Sequence, residues 1–158
     1  MHDRVQQAAY ALIPAGQQQT IHLKIGQLLL NHLSEEAKDN HLFTLVSQLN
    51  MGRSLITVSA ERDALVQLNL KAGKKAKLST AYSAAIEYFA TAKQLLGTDS
   101  WTHNYSATLE VCTEALEAEY LNTHFEAIEQ LSESILKQAR SLFDIIKVHE
   151  IRIRAQIG

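Results

Sequence analysis

The stretch Leu68-Asn69-Leu70-Lys71-Ala72-Gly73-Lys74-Lys75-Ala76-Lys77, with Ala85, Phe89 and Ala92 following it, decides how this chain folds. Leu65, Leu68, Ala72 and Ala76 recur at spacings of three and four, the period of one helix face. Ala85, Phe89 and Ala92 carry the same period in i, i+4, i+7 form. The gap between the two runs is short, as it is between antiparallel neighbours. Gly73 stands twelve residues before Ala85. Only a small side chain lets two helices cross at short range, with an aromatic ring filling the space beside it. Gly73 and Phe89 are the small and the large member of such a contact, and the stretch reads as a helical hairpin.

Working outward, the same alternation of helical stripe and cap signal fills the chain. A first short helix, Arg4 to Ile13, ends at Pro14, which has no amide donor. A second, Gln17 to Leu33, carries the stripe Ile21, Ile25, Leu28, Leu29 and His32. Ser34 reads as an N-cap, with Glu35 and Glu36 in the first turn where the helix dipole favours anions. The third helix carries Leu42, Leu45, Val46 and Leu49 and is closed by Gly52 as a C′ residue. Arg53 to Val58 has strand propensity but no partner strand, and reads as a packed connection. Ser59 caps a fourth helix that runs to about Lys77; Thr80 to Leu96 is the fifth, closed by Gly97. Thr98-Asp99-Ser100 caps a sixth, Trp101 to Asn122. The seventh is Phe125 to about Ala139, and the eighth begins near Leu142.

Composition agrees. Six Gly and one Pro in 158 residues are about 4% of the chain against an average near 12%, while Ala and Leu supply 42 residues. Such a chain is poor in turns and rich in helix formers, which excludes collagen-like and disulfide-scaffold classes and disfavours a sandwich or barrel. The net charge of −2 draws the chain neither to nucleic acid nor to an acidic membrane. A single cysteine, Cys112, cannot form an intramolecular disulfide, which suits a reducing cytoplasm. No apolar run approaches the roughly 18 residues of a spanning helix, and Met1-His2-Asp3-Arg4 lacks the apolar region of a signal peptide. A soluble, intracellular domain is expected. The helical pattern of Ile151, Ile153 and Ile157 runs on to Gly158, so residues 1–158 read as a single helical repeat domain belonging to a longer protein.

Ala85, Phe89 and Ala92 follow the A-x3-F-x2-A spacing in the second helix of a tetratricopeptide repeat (TPR), and Gly73 has the offset of the small residue in its first helix. An earlier copy starts at Ile25-Gly26. A later one runs through Ala118-Glu119-Tyr120-Leu121 to Phe125, with Leu116 where Gly or Ala is expected. Gly26 to Gly73 is 47 residues and Gly73 to Leu116 is 43, longer than the 34-residue TPR unit. The expected fold class is therefore all-α: a TPR-like superhelix, or solenoid, of antiparallel hairpins.

Several segments carry a wider resemblance. They are His22-Leu23-Lys24-Ile25-Gly26-Gln27-Leu28-Leu29, the stretch Leu68 to Lys77, Ser79-Thr80-Ala81-Tyr82, Leu95-Leu96-Gly97-Thr98-Asp99-Ser100-Trp101 and Glu117-Ala118-Glu119-Tyr120-Leu121-Asn122. From about Gln17 to Gly158 the chain resembles the very large bacterial multi-sensor signalling proteins frequent in cyanobacteria. These combine a Ser/Thr kinase-like domain, a STAND-type AAA ATPase, a long helical TPR-like region, a GAF domain and a histidine kinase. The resemblance implies the helical region just after the ATPase: a cytoplasmic, non-catalytic segment in a signal-transduction context.

Motifs that could carry chemistry are weak. Gly73-Lys74-Lys75 fails the phosphate-loop pattern, with Leu68 where the first Gly belongs and Lys75 where Ser or Thr should bind magnesium. His149-Glu150-Ile151-Arg152 looks like a histidine-kinase phospho-acceptor box, but Ile153-Arg154 follows without a Pro, and the apolar neighbours place His149 near the buried face. The histidines His2, His22, His32, His41, His103, His124 and His149 show no i, i+4 metal pairing. Cys112, among Leu109, Val111 and Leu116, reads as a small core hydrophobe. Neither a catalytic residue nor a cofactor or metal site is expected.

The basic cluster Lys71, Lys74, Lys75 and Lys77 is a solvated helix face or a patch for an acidic partner segment; without interleaved aromatics it does not suit nucleic acid. If a partner binds, the face made by the first helix of each hairpin would take it. The register turns Lys74 and Lys77 to that face, with Gln27 and Leu30 in the preceding repeat and Glu117 and Tyr120 in the following one. The expected function is a protein-interaction or relay module that binds protein or peptide segments, including other domains of one polypeptide, with a homo-oligomer as a further possibility. The alternatives are a helical effector domain with its own ligand cavity and a purely structural spacer.

Overall fold

The structure, a computed structural model, describes the backbone of residues 2–157 and the side chains of residues 4–157; Met1 and Gly158, the ends of the expected domain, lie outside it. Every regular element among the described residues is helical. In chain order they are α1 (His2–Ala11), α2 (Ala15–His32), α3 (Glu35–Asn40), α4 (Leu42–Met51), a 3-10 turn (Arg53–Leu55), α5 (Ser59–Leu78), α6 (Tyr82–Leu96), α7 (Ser100–His103), α8 (Tyr105–Leu121), α9 (Phe125–Gln138) and α10 (Leu142–Ile157). They fall into two compact units, Met1–Leu65 and Val66–Gly158, with α5 carrying the chain from one into the other.

In the first unit α2 and α4 form an antiparallel pair. Gly26 is buried, and a Cβ there would stand 2.6 Å from Cδ2 of Leu49. A Cβ on Gly52 would stand 2.6 Å from Cβ of Leu23. Gly52 ends α4 with φ −98°, so it serves close approach to α2 and not the left-handed C′ turn expected of it. The contact line on α2 therefore runs through Gln19, Leu23 and Gly26. This corrects the expected stripe: Ile21, Ile25, Leu28 and His32 are exposed, because the glycine, and not the largest apolar side chains, sets where the helices approach.

The third helix of the sequence reading is two helices. Ser34 caps α3 as expected, accepting a bond from the Ala37 amide at 3.2 Å, but His41 (φ −112°, ψ 23°) breaks the run before α4. The Arg53 to Val58 connection holds the short 3-10 turn and buries Ile56. The expected sixth helix is also split, at Asn104 (φ −142°, ψ 57°), into α7 and α8.

In the second unit α5 and α6 pair as the Gly73/Phe89 spacing requires. Phe89 is fully buried, and a Cβ on Gly73 would sit on Cε1 of its ring. Val66, Leu70, Ala76, Ala85, Ala92, Val111 and Ala118 complete that core. A second core holds Cys112, Leu116, Ile128, Ile135, Val148 and Ile151 between α8, α9 and α10. Burial pushes the Cys112 thiol up, against a smaller lowering influence from Lys93, as befits a core residue.

The hairpin turn recurs. The fifth helix starts at Tyr82 and not Thr80, because Thr80 sits left-handed (φ 59°) in the turn. Thr80 N–H bonds Lys77 C=O at 3.0 Å and Ala81 N–H bonds Ala76 C=O at 3.0 Å, a Schellman closure of α5. Forty-three residues on, Thr123 (φ 60°) repeats it: Thr123 N–H to Tyr120 C=O and His124 N–H to Glu119 C=O, both 3.0 Å. The buried trios of the second helices keep the same spacing. Leu42, Val46 and Leu49, then Ala85, Phe89 and Ala92, then Ile128, Ser132 and Ile135 stand 43 residues apart position by position.

Candidate functional site

Of the residues expected to face a partner, Gln27 and Leu30 lie half-buried on α2 of the first unit. The other four lie in the second unit, on the first helices α5 and α8. There Lys74 donates to Glu110 Oε1 at 2.5 Å. Lys77 donates to Glu114 Oε2 at 2.6 Å and to Glu117 Oε2 at 2.5 Å. Lys147 of α10 reaches the same Glu117 oxygen at 3.2 Å. Tyr120 packs its ring half-buried against the second core.

This ladder stitches α5 to α8 and α8 to α10. It assembles because Glu110, Glu114 and Glu117 recur at i, i+4, i+7 on α8 and meet the lysines at the end of α5. Lys77 has only 15% of its side chain exposed and Glu114 16%, so this part is shielded from water. Burial pulls the Lys77 ammonium down, yet its bonds to Glu114 and Glu117 and their charges outweigh burial and leave it raised above 10.5. For Glu117 burial pushes up, and the bonds and charges of Lys77 and Lys147 outweigh it, holding the carboxyl below 4.5. The acidic segment that the basic cluster was expected to seek is thus in large part the chain's own α8. Lys74, with 41% of its side chain exposed, is the outward rung.

The sequence reading found Lys74, Lys77 and Glu117 but missed Glu110, Glu114 and Lys147. The carboxylate stripe on α8 was the signal available for them. It placed the start of α10 near Leu142, where the helix begins, but not the cap that holds it. Ser141 and Asp144 form a capping box there: Asp144 N–H to Ser141 Oγ at 3.3 Å and Ser141 N–H to Asp144 Oδ2 at 3.0 Å. Tyr105 donates to the same carboxylate at 2.6 Å, and Arg140 lies 4.1 Å over the Tyr105 ring while bonding Trp101 C=O. The Tyr105 bond, opposed by desolvation and joined by the Ser141 and Arg140 bonds, holds Asp144 below the usual carboxylate range.

Two clefts open elsewhere in the second unit. One, about 290 Å³, is lined by Phe89, Lys93, Ala115, Glu119, Leu131 and Ser134. The other, about 480 Å³, is lined by Lys93, Gly97, Ser100, Trp101 and Thr108. Glu119 is turned to His124 at 2.7 Å. Among the described residues no three of His, Cys, Asp and Glu group as a metal would need, and no helix is long and apolar enough to cross a membrane. His149, expected near the buried face, is exposed: Val148 and Ile151 take the core side of α10.

Comparison with known proteins adds a context. No protein-family model matches the chain, and no solved structure matches it. Among curated proteins, hybrid signal transduction histidine kinase G of Dictyostelium discoideum is similar, 28% identical over 178 aligned residues. The alignment takes in 98% of this chain but only 5% of that protein's length. The chain therefore resembles one small region of a signal-transduction protein.

Proposed function

We propose that this chain is a non-catalytic interaction and relay module of a signalling polypeptide, built as a TPR-like stack of helical hairpins. The observation that carries the reading is the repetition. One hairpin turn and one buried trio recur at 43 residues, in a chain that resembles a region of a signal-transduction kinase over nearly its whole length. Stacked hairpins present their first helices side by side as a binding surface. In the second unit that surface is the ion-pair ladder, with Lys74 and Glu110 as its exposed rung. It suits a polar segment that exchanges charge with the rung better than an apolar helix. Kinase and ATPase activity, on this reading, belong to other domains of the polypeptide.

The test is calorimetric titration of this chain against separately expressed domains of the polypeptide that carries it. Binding that weakens with salt and is reduced by Lys74→Glu, with the circular dichroism spectrum unchanged, is the expected result. Binding untouched by Lys74→Glu places the surface elsewhere. No binding to any domain leaves the spacer reading, which the internal pairing of Lys77 and Glu117 favours.

A further inference from the structure

The hairpin of α8 and α9 departs from the repeat at its start. The break at Asn104 detaches α7 from α8, whereas α5 runs unbroken through Glu61, 43 residues earlier, and α10 through Lys147, 43 residues later. Just before the break, Gly97 ends α6 with φ 83°, a left-handed backbone that glycine adopts without strain, and the space where its Cβ would stand is open. The turn at Gly97 and the short helix α7 form the walls of the cleft of about 480 Å³.

Ala90 and Gly97 leave room in this cleft, and Trp101 gives it an aromatic wall. Trp101 is held in place by its neighbours: its ring lies 5.7 Å from that of Tyr105, and its carbonyl accepts from Arg140. Two polar groups of the lining have no role inside the fold. Among the described residues, Lys93 makes no ion pair or hydrogen bond, unlike Lys74 and Lys77 of the ladder. The Ser100 hydroxyl likewise has no hydrogen-bond partner among them, although the residue is only 6% exposed. A buried hydroxyl in that position favours anything that supplies a partner. Thr108, in the same lining, already donates to Asn104 C=O at 2.7 Å. Lys93 also borders the neighbouring cleft of about 290 Å³, but the carboxylate there, Glu119, is turned to His124.

We propose that this cleft binds a small amphipathic carboxylate, whose head group accepts from the Lys93 ammonium and the Ser100 hydroxyl while its apolar body lies against Trp101, Ala90 and Gly97. A mostly apolar lining with a few polar groups, in a volume of this size, is the usual make-up of a small-ligand site. An inorganic anion would leave the aromatic wall unused, and a cation would meet Lys93 as a like charge. The inference goes beyond the relay reading, which concerns polypeptide partners at the ladder, and it stands or falls separately.

Trp101 is the sole tryptophan of the chain, so its fluorescence reports on the cleft directly. Decanoate titrated into the whole chain below its micelle concentration should give a saturable change, with Kd on the order of 0.1–1 mM. Decyltrimethylammonium, with the same apolar chain and the opposite charge, should not. Lys93→Gln should weaken decanoate binding on the order of 10-fold, and Ser100→Ala about 3-fold. Ala90→Leu fills the cleft and should abolish binding. Lys93 and Ala90 are exposed, so the melting curves of those two variants stay in place. The absence of a saturable change with decanoate overturns the inference, as does equal binding of the cationic detergent or binding unmoved by Lys93→Gln. A blocked peptide of leucine and aspartate that binds more tightly than decanoate, and loses its binding in Lys93→Gln, would assign the cleft to a polypeptide segment and overturn the small-ligand reading.

Discussion

In the hairpin of α5 and α6 the small residue is on the first helix and the large one on the second: Gly73 lies against the ring of Phe89. Forty-three residues on, in the hairpin of α8 and α9, the order is reversed. Leu116 stands where Gly73 stood and Ser132 where Phe89 stood, both fully buried. The two pairs have nearly the same combined side-chain volume. The flanking positions, Ala85 and Ala92 against Ile128 and Ile135, and the left-handed turn residues Thr80 and Thr123 keep their places. A helix pair thus fixes the total bulk at its crossing and is indifferent to which helix supplies it, as volume-conserving exchanges in cores are the best tolerated. The second solution has a flaw the first lacks: the Ser132 hydroxyl is buried without a hydrogen-bond partner.

The largest effect is expected where the bulk sits in one side chain. Phe89→Ala removes a fully buried ring and should cost about 3–5 kcal/mol in chemical denaturation. Ser132→Ala, at the equivalent position, should instead gain about 1 kcal/mol by deleting an unpaired hydroxyl. Equal losses at both sites would show that the hairpins do not exchange bulk in this way.

The ladder between the hairpins comes next. Lys77→Ala leaves Glu114 and Glu117 facing each other without their shared cation and should cost about 1–3 kcal/mol at neutral pH. Its pH window follows from the two shifts. Glu117 is held below 4.5, so its contribution is complete above that value and is lost as pH falls through the folded-state value. Lys77 is held above 10.5, so its contribution is complete below that value and is lost as pH rises through the folded-state value. Between those limits the wild-type advantage over Lys77→Ala should be flat in thermal melts, narrowing in acid and in alkali. An advantage that grows in acid would contradict the ladder.

The smallest effects are gains. Thr80→Gly and Thr123→Gly each relieve a β-branched residue of a left-handed backbone and should raise stability by about 1 kcal/mol. Similar gains at both positions would sharpen the equivalence of the turns; a gain at one alone would weaken it.

The α5/α6 hairpin was legible in the sequence because its crossing uses glycine and phenylalanine, the extremes of side-chain size. Its counterpart was legible only in half. Leu116 marked a departure from the pattern, but Ser132 looks like a surface residue and gave no hydrophobic signal. The breaks at His41 and Asn104 were missed because neither is a glycine or a proline. The exposed stripe on α2 was misread because Gly26, whose importance is an absence of atoms, decides which side of α2 meets α4. At the candidate site, Lys74, Lys77 and Glu117 were placed on one face from helical register alone. That the lysines already hold partners depends on α8 lying beside α5, which spacing along the sequence does not reveal.

Moving the bulk of one hairpin into the arrangement of the other tests the exchange most directly. Gly73→Leu alone should cost about 1–3 kcal/mol by overpacking against the ring, and Phe89→Ser alone about 3–5 kcal/mol by leaving a cavity. The double variant Gly73→Leu/Phe89→Ser rebuilds the α8/α9 crossing inside α5/α6. In a double-mutant cycle followed by urea denaturation, it should be more stable than Phe89→Ser alone, with the two changes strongly coupled. Costs that simply add would contradict the claim that the two hairpins are one unit with its bulk exchanged.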